Sequence, residues 1–145
     1  MTENEQRASV VAAARSWLGT PYHHMAGLKG IGADCGQFIA AVFHEVGLME
    51  QPQIDAYPRD WMCHRTEERF REIAERYMVR VDRPARPGDI LLFRYGRTLS
   101  HGGIVVDYPV MVHALVKHGV VYGSVDQEPR TKKKLAGTWT LKGWT

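Results

Sequence analysis

Residues 32–48 read GADCGQFIAAVFHEVGL and carry the clearest local signals in the chain. Asp34 is a typical N-cap residue, and Gln37 follows it at the spacing of a capping box. Apolar side chains then recur at helical intervals until Gly47 ends the pattern. This stripe consists of Cys35, Phe38, Ile39, Val42, Phe43 and Val46. The stretch therefore predicts an amphipathic helix that begins at Cys35 and packs its apolar face against the core.

The segments around this helix divide into a helical N-terminal part and a β-rich C-terminal part. Helical spacing predicts a first helix over about 5–18, ended by Gly19 and Pro21, and a third helix around 60–78. A loop rich in glycine and histidine is expected over 20–32. Strands are predicted at 89–94, 103–107, 110–117, 120–125 and 138–141. Helices followed by an antiparallel meander indicate an α+β fold with about five strands, and we expect one domain over residues 1–145.

Composition is that of an ordinary soluble globular protein, with 44% hydrophobic and 24% charged residues among 145. The net charge is +3 and the pI about 9.0. The one basic cluster, Arg130 with Lys132, Lys133 and Lys134, is interpreted as a solvated loop, so no nucleic-acid partner is expected. No apolar run approaches the roughly 20 residues that span a membrane. The polar N-terminus predicts no signal peptide and synthesis in the cytoplasm.

The two cysteines, Cys35 and Cys63, are too few for a disulfide framework, and their settings differ. Cys63 lies between Met62 and His64 in a charged segment and is interpreted as structural. Cys35 is predicted at a helix N-terminus, where the helix dipole and free N–H groups favour a thiolate and can bind an oxyanion. Gly36 lets a substrate backbone approach closely. A buried cysteine is often only a small apolar residue, but this position favours a nucleophile.

A thiol nucleophile needs a base, usually histidine, and a third group that orients the base. Among seven histidines, His101 and His113 lie on predicted neighbouring strands. A turn centred on Asp107 would set these two histidines directly opposite each other on one sheet face. A register centred half a step later would pair residue 113 with residue 102 and separate the rings. We therefore expect His101 to be the base for Cys35 and His113 to orient that base.

Metal binding is the alternative chemistry for these residues, because one cysteine and two histidines can bind zinc. The ligand spacings lack a compact CxxC or HxxxH pair, so we expect no metal and no cofactor. The remaining histidines occupy predicted loops or polar helix positions and are expected to face solvent. They are His23, His24, His44, His64 and His118.

Four segments together resemble the NlpC-type cell-wall peptidases, a family of papain-like cysteine peptidases. Residues 14–24, ARSWLGTPYHH, resemble the family's opening helix and Gly-Thr-Pro-Tyr turn, and residues 32–48 resemble its Asp-Cys-Ser-x-Phe helix. Residues 86–93, RPGDILLF, are similar to its Pro-Gly-Asp turn into a strand. SHGGIVV at 100–106, followed by VMVHA at 110–114, resembles its paired histidine strands. The four segments occur in the family's order and cover most of the chain.

The resemblance implies a papain-like fold, in which the nucleophile helix packs on an antiparallel sheet that carries the histidines. It also implies hydrolysis of peptidoglycan stem peptides, commonly between D-glutamate and diaminopimelate or lysine. It assigns Cys35 as nucleophile, His101 as base and His113 as orienting residue. Tyr22 matches a tyrosine that lines the site and stabilises the oxyanion, and Asp34 matches an acid that contacts the substrate amine in some members.

The family pattern has serine after the nucleophile, whereas this chain has Gly36. We expect the missing hydroxyl to affect the positioning of the substrate but not the nucleophile. The chain has no wall-binding repeat or lipobox and resembles the branch found in phage and prophage tails. YPRDWMCHRTEERF at 57–70 is similar to that branch. We therefore expect a tail-associated enzyme, with peptidoglycan and tail proteins as partners, that is delivered to the periplasm or cell wall.

Two other hypotheses remain open from the sequence. The first is an acyltransferase, amidase or deamidating toxin effector on the same scaffold, which also requires Cys35. The second is a non-catalytic structural tail protein, which does not require it. Release of soluble stem peptides from purified sacculi is expected only of the peptidase.

Overall fold

A computed structural model describes residues 1–50, 70–127 and 129–145 of the chain. The predicted first helix is present as α1, Glu3–Ser16, two residues nearer the N-terminus than expected. The shift follows from a cap that the sequence analysis did not use, because Thr2 Oγ1 accepts a hydrogen bond from the Glu5 N–H at 3.1 Å. Beyond its end, Gly19 adopts a φ of +87°, which glycine tolerates without strain.

The second helix, α2, spans Cys35–Glu45 and begins where the sequence predicts. Asp34 is its N-cap, since Oδ1 accepts a hydrogen bond from the Gln37 N–H at 2.8 Å. The reciprocal half of the predicted capping box is wrong, because the Asp34 N–H donates to the Ala26 carbonyl at 3.0 Å instead. That bond ties α2 to the preceding segment, where a small antiparallel pair replaces part of the expected loop. Its strands are β1, Gly27–Leu28, and β2, Gly32–Ala33.

Within the described residues, the main sheet has six antiparallel strands instead of the expected five or so. They are β3 (Met78–Val81), β4 (Ile90–Tyr95), β5 (Thr98–Asp107), β6 (Val110–Leu115), β7 (Gly119–Ser124) and β8 (Leu135–Leu141). Their order across the sheet is β3-β8-β4-β5-β6-β7, so β4 to β7 form the predicted meander. Helices packed against this sheet confirm the α+β class.

Two segments differ from the sequence prediction. Most of the predicted third helix, residues 60–69, lies outside the described residues. Its described part is helical as predicted, with α-helix at 70–72 and one turn of π-helix at Ile73–Tyr77, but Met78 begins strand β3 instead of ending the helix. The basic segment that was expected to be a loop is a short helix, Pro129–Lys134.

The core places the start of α2 against the middle of the sheet. Helices α1 and α2 contact each other, and α2 packs on β5 and β6. Gly102 allows this close approach, since a Cβ there would lie 2.9 Å from Ile39 Cδ1 of the helix. A smaller apolar cluster contains Leu91, Phe93, Val105, Met111 and Val125. The absence of a side chain at Gly102 thus brings the N-terminus of α2 beside β5.

A buried ionic cluster fixes the Pro-Gly-Asp turn that leads into β4. Asp89 is fully buried, and its two oxygens accept hydrogen bonds from Arg7 at 2.9 Å and Arg83 at 2.8 Å. Burial alone would raise the pKa of Asp89, but its hydrogen bonds, led by that from Arg83, lower the pKa below the usual value. Arg7 belongs to α1, so the cluster joins the first helix to the sheet.

No helix within the described ranges is long and apolar enough to cross a membrane.

Candidate active site

A pocket of about 420 Å³ opens at the N-terminal end of α2. Its walls come from the loop before α2, the β4–β5 hairpin and the β6–β7 turn. The lining residues are Tyr22, Cys35, Tyr95, Ser100, His101, Ala114, Leu115, Val116 and His118. A larger cavity of about 830 Å³ between β3 and β8 has arginines but neither cysteine nor histidine in its lining. The smaller pocket is therefore the candidate site, because it unites Cys35, His101 and Tyr22.

The Cys35 thiol is buried and protonated in the resting protein. Only 5% of the residue is exposed, and Sγ donates a hydrogen bond to the Ser100 carbonyl oxygen at 3.7 Å. Burial, with a smaller contribution from the negative charge of Asp34, raises the pKa of Cys35 to about 12. The N–H groups of Gly36, Cys35 and Gly102 act in the opposite direction. The N–H groups at the helix N-terminus thus favour the thiolate as the sequence predicts, but desolvation outweighs them in the resting protein.

His101 and His113 form a hydrogen-bonded pair behind the pocket. His101 Nε2 lies 2.9 Å from His113 Nδ1, and the ring centroids are 5.1 Å apart. Burial, reinforced by the charge that His113 can carry, lowers the pKa of His101 to about 3. The His101 imidazole is therefore neutral near pH 7 and able to accept a proton. His113 is 3% exposed and does not line the pocket, so it can reach a substrate only through His101.

The strand register that joins the two histidines differs from the one the sequence predicts. Asp107 pairs with Val110 across a two-residue turn, and Val105 then pairs with Met111, so Val106 is an extra residue on β5. Without this bulge, residue 113 would face residue 104 and point away from His101. With the bulge it lies opposite residue 103, two residues from His101 and on the same face. The imidazoles therefore meet diagonally, a distance that long side chains can span.

A second bulge shapes β5 beside the nucleophile. Phe93 pairs with His101 and Arg94 with Leu99, so Ser100 is the extra residue between them. Bulges are frequent next to active sites because they redirect neighbouring groups. Here the bulged residue, Ser100, directly precedes His101 in the chain. Its carbonyl oxygen accepts the hydrogen bond that the Cys35 thiol donates. The sequence around Ser100 gives no sign of this role, since a bulge leaves no clear mark in a short strand pattern.

Glycines make room for the histidine pair. A Cβ at Gly123 of β7 would lie 2.5 Å from His113 Nε2, and a Cβ at Gly103 would lie 3.3 Å from His113 Cβ. Gly123 must stay without a side chain for the His113 ring to occupy its place, whereas a Cβ at Gly103 would conflict mainly with Met111, whose Sδ would lie 2.6 Å away. The glycine pair after His101 is visible in the sequence, but the significance of Gly123 depends on the pairing of β6 with β7.

Two aromatic rings flank His101. The Phe93 ring centroid lies 5.7 Å from that of His101, and the Tyr95 centroid lies 6.3 Å away in an edge-on arrangement. Phe93 is fully buried, whereas Tyr95 is 43% exposed and lines the pocket. These contacts limit the orientations available to the imidazole. The alternation in LLFRY would have placed both rings on one strand face, but it did not indicate a histidine partner.

The other predicted site residues surround the nucleophile. Tyr22 lines the pocket, and its backbone forms an isolated bridge with Ala33. Gly36 is buried in the first turn of α2. Asp34 is 7% exposed, and its Oδ2 accepts a hydrogen bond from the Met25 N–H at 2.9 Å in addition to the helix cap. The carboxylate thus holds the loop before α2, and contact with a substrate amine stays a prediction.

The remaining cysteine and histidines fall in four classes. Cys63 and His64 lie outside the described residues, and His23 and His44 face solvent as expected. His24 is half-buried, with Nδ1 4.0 Å from Asp34 Oδ2, which differs from the expected exposure. His118 is exposed but lines the pocket, which the sequence did not indicate. Over residues 1–50, 70–127 and 129–145, no three His, Cys, Asp or Glu side chains are grouped to hold a metal ion.

Comparison with known proteins places this geometry in a family. Residues 19–139 match the model of the NlpC/P60 family, a match that includes Tyr22, Cys35, His101 and His113. The chain belongs to the NlpC/P60 family. The sequence resemblance to NlpC-type proteins is therefore confirmed at the level of the family.

Curated relatives and solved structures agree with this assignment. The chain is 29% identical over 118 residues to the murein DD-endopeptidase MepS/murein LD-carboxypeptidase of Escherichia coli K12, covering 81% of this chain. It spans about half the length, 54%, of that relative. An NlpC/P60 family protein from Bacillus cereus ATCC 10987 aligns with a TM-score of 0.68 at 20% identity, over 91% of this chain and 39% of its own. The NlpC/p60 domain of the peptidoglycan hydrolase SagA aligns with a TM-score of 0.63 at 21% identity, over 92% and 97%. These two structures support the fold.

Proposed function

We propose that the protein is a cysteine peptidase that hydrolyses peptide bonds in peptidoglycan stem peptides. One observation carries the proposal: Cys35 and His101 line a single pocket, and His113 is hydrogen-bonded to Nε2 of His101. The family as a whole consists of cysteine peptidases that act on peptidoglycan. A nucleophile, a base and a group that orients the base are the parts that thiol peptidases require.

In the proposed mechanism, His101 accepts the Cys35 proton as Sγ attacks the scissile carbonyl carbon. The carbonyl oxygen becomes an oxyanion, which the N–H groups at the start of α2 and the Tyr22 hydroxyl stabilise. His101 then gives its proton to the leaving amine, and the C–N bond breaks to leave an acyl group on Sγ. Water, deprotonated by His101, attacks this thioester and releases the acid and the free thiol.

The burial of Cys35 and His101 determines at which step the proton moves from the thiol to the imidazole. The pKa of the thiol is raised to about 12 and that of His101 is lowered to about 3, so charge separation in the empty pocket is unfavourable. Proton transfer therefore accompanies attack on the substrate, when the developing negative charge passes to the oxyanion site. His113 holds the His101 ring in the tautomer that leaves a ring nitrogen available to accept the proton.

The bond between D-glutamate and diaminopimelate or lysine is the proposed point of cleavage. The sequence resemblance supports this choice, whereas the relative from E. coli is named for DD-endopeptidase and LD-carboxypeptidase activities. Cleavage is tested by incubating purified sacculi of defined composition with the wild-type protein and with Cys35→Ala, followed by mass spectrometry of the soluble fragments. An exposed histidine at the other end of α2, changed as His44→Gln, provides the control.

The outcomes separate the hypotheses. Release of stem fragments by the wild type and His44→Gln, but not by Cys35→Ala, supports the peptidase, and the fragment masses identify the bond. Products that carry a transferred amine in place of water would favour the transferase. No Cys35-dependent product would refute the peptidase and favour a structural role. Slow alkylation of Cys35 by iodoacetamide is expected of both the peptidase and the structural protein, because the buried thiol is protonated at neutral pH.

Association with a phage or prophage tail, and delivery by the virion to the wall, are further parts of the proposal. Their support is the resemblance of residues 57–70 to that branch, of which residues 57–69 lie outside the described part. The test is cosedimentation of the protein with purified tail particles from the host strain, detected by a specific antibody. Its absence from every particle fraction would refute the association while leaving the peptidase proposal standing.

A further inference from the structure

A histidine outside the catalytic pair lines the catalytic pocket. His118 lies in the β6–β7 turn and is exposed, and it shares the pocket with Cys35 and His101. The His101–His113 contact joins those two imidazoles directly, and His118 lies on a separate turn of the pocket wall. The proposed mechanism leaves His118 without a role, although an imidazole is one of the few side chains that can both donate a hydrogen bond and carry a positive charge.

The turn that carries His118 is held firmly against the other wall of the pocket. The His118 N–H donates to the Leu115 carbonyl at 3.1 Å, which closes the turn. Gly119 packs against the preceding loop, since a Cβ there would meet the Thr20 carbonyl oxygen. Val120 and Thr20 are joined by a backbone hydrogen bond of 2.8 Å. The backbone at His118 is therefore anchored to the segment that leads into Tyr22, so the side chain starts from a preorganised position.

The lining of the pocket can accommodate an anionic substrate group, with the buried Asp34 carboxylate adjoining Cys35 as the nearby negative charge. Among the described residues, no aspartate or glutamate lines the pocket, and its ionisable members are Tyr22, Cys35, Tyr95, His101 and His118. Cys35 and His101 are buried, and burial favours their neutral forms. His118 is exposed, and its ring offers an N–H donor to a substrate carboxylate. A carboxylate entering this pocket would thus find a hydrogen-bond donor without meeting a described acid on its wall.

We propose that His118 binds a carboxylate of the stem peptide next to the scissile bond. The inference rests on the proposed function. D-glutamate in a stem peptide is linked through its side-chain carboxyl group, so its α-carboxylate stays free beside the bond to the next residue. His118 then selects stem peptides with this carboxylate over those in which it is amidated. The residue is a specificity determinant and takes no part in bond cleavage.

The test compares two synthetic stem peptides that differ only in a free or an amidated α-carboxylate on D-glutamate. Binding is measured by calorimetry in the inactive Cys35→Ala protein and in the double variants that add His118→Ala, His118→Gln or His44→Gln. We expect Cys35→Ala to bind the free-carboxylate peptide about tenfold more tightly than the amide. His118→Ala should abolish this preference, His118→Gln should keep part of it through its N–H donor, and His44→Gln should keep all of it.

Equal affinity for both peptides in Cys35→Ala, or an undiminished preference after His118→Ala, would overturn the inference. Melting temperatures of all variants show whether each is folded. Hydrolysis of the same peptides by the wild type is measured separately. Absence of hydrolysis with intact carboxylate preference refutes the proposed function, whereas hydrolysis without carboxylate preference refutes only the role of His118.

Discussion

Replacing Gly123 by alanine is expected to disable the histidine pair from the neighbouring strand. The new Cβ would lie 2.5 Å from His113 Nε2 and 2.9 Å from Cε1, far inside ordinary contact distance. The ring has little freedom to withdraw, because Nδ1 is bonded to His101 at 2.9 Å. Gly123 is not among the residues with positive φ, so alanine suits its backbone. The steric conflict therefore falls on the imidazole.

The size of the effect follows from the displacement required. Ordinary contact begins near 3.4 Å, so the ring must move by about 3.4 − 2.5, or 0.9 Å. Such a shift breaks or lengthens the hydrogen bond to His101, and a misplacement of about 1 Å in a catalytic arrangement costs about 100-fold in rate. Overpacking of this kind costs about 1–3 kcal/mol of stability. We expect kcat for stem-peptide hydrolysis to fall about 100-fold in a protein that is still folded.

The control substitution is Gly137→Ala in β8 of the same sheet. A Cβ there would lie 2.8 Å from Arg80 Nε and 3.1 Å from Trp139 Cζ3, but Arg80 is exposed and its guanidinium can move aside, while the tryptophan needs to shift by only a few tenths of an ångström. Steady-state hydrolysis and thermal unfolding are measured for both variants, with Gly137→Ala expected within about twofold of the wild-type kcat. In a His113→Ala background the added methyl group has space, so Gly123→Ala should cost nothing further. Full activity of Gly123→Ala, or additive losses in the double variant, would refute the reasoning.

Further predictions concern the same site. His113→Asn should retain more activity than His113→Ala, because an amide can still orient His101; equal kcat for wild type and His113→Ala would exclude an orienting role. Tyr22→Phe should lower kcat about tenfold or more if its hydroxyl stabilises the oxyanion, and an unchanged kcat would leave Tyr22 a packing role. In the folded protein the pKa of His101 is lowered to about 3. The unfolded state therefore binds more protons than the folded state below about pH 6.5. For this reason the stability that His101 contributes is lost as the pH falls toward 3. Denaturant titrations should therefore show a free energy of unfolding that decreases from pH 6 to pH 4.5, and His101 should contribute at most about 1.4 kcal/mol per pH unit to this decrease. The decrease should be steeper in the wild type than in His101→Gln. Identical slopes in the two proteins would refute a buried neutral His101. EDTA should leave hydrolysis unchanged, and strong inhibition that zinc reverses would favour a metal mechanism.

Local sequence patterns were sufficient for the elements whose signals are contained in a few adjacent residues. The Asp34 cap and the apolar stripe predicted the start of α2, and the alternating segments predicted the β4–β7 meander. Strand β3 was missed because its four residues follow directly on a helical pattern. The predicted capping box was only half correct. The Asp34 N–H donates to the carbonyl oxygen of Ala26, which lies outside the four residues of the capping-box motif.

The candidate site shows the same division between local and long-range information. Cys35, His101 and Tyr22 were singled out from the sequence and share one pocket. The pairing of His101 with His113 was predicted from a register that does not occur, and the contact exists because the bulge at Val106 restores the common face. Ser100 and Gly123 act through neighbours on other segments, so their own sequence context could not identify them.

The sequence by itself determined that a cysteine begins an amphipathic helix and that two histidines follow on adjacent strands, because caps and periodicity are properties of neighbouring residues. Only the tertiary structure decided the protonation of that cysteine, since burial outweighs the helix amides and raises the pKa of Cys35 to about 12. It also brought His118 to the pocket wall, because backbone hydrogen bonds join its turn to the loop before α2. Desolvation and strand register depend on atoms far apart in the chain, and no local pattern of residues contains them.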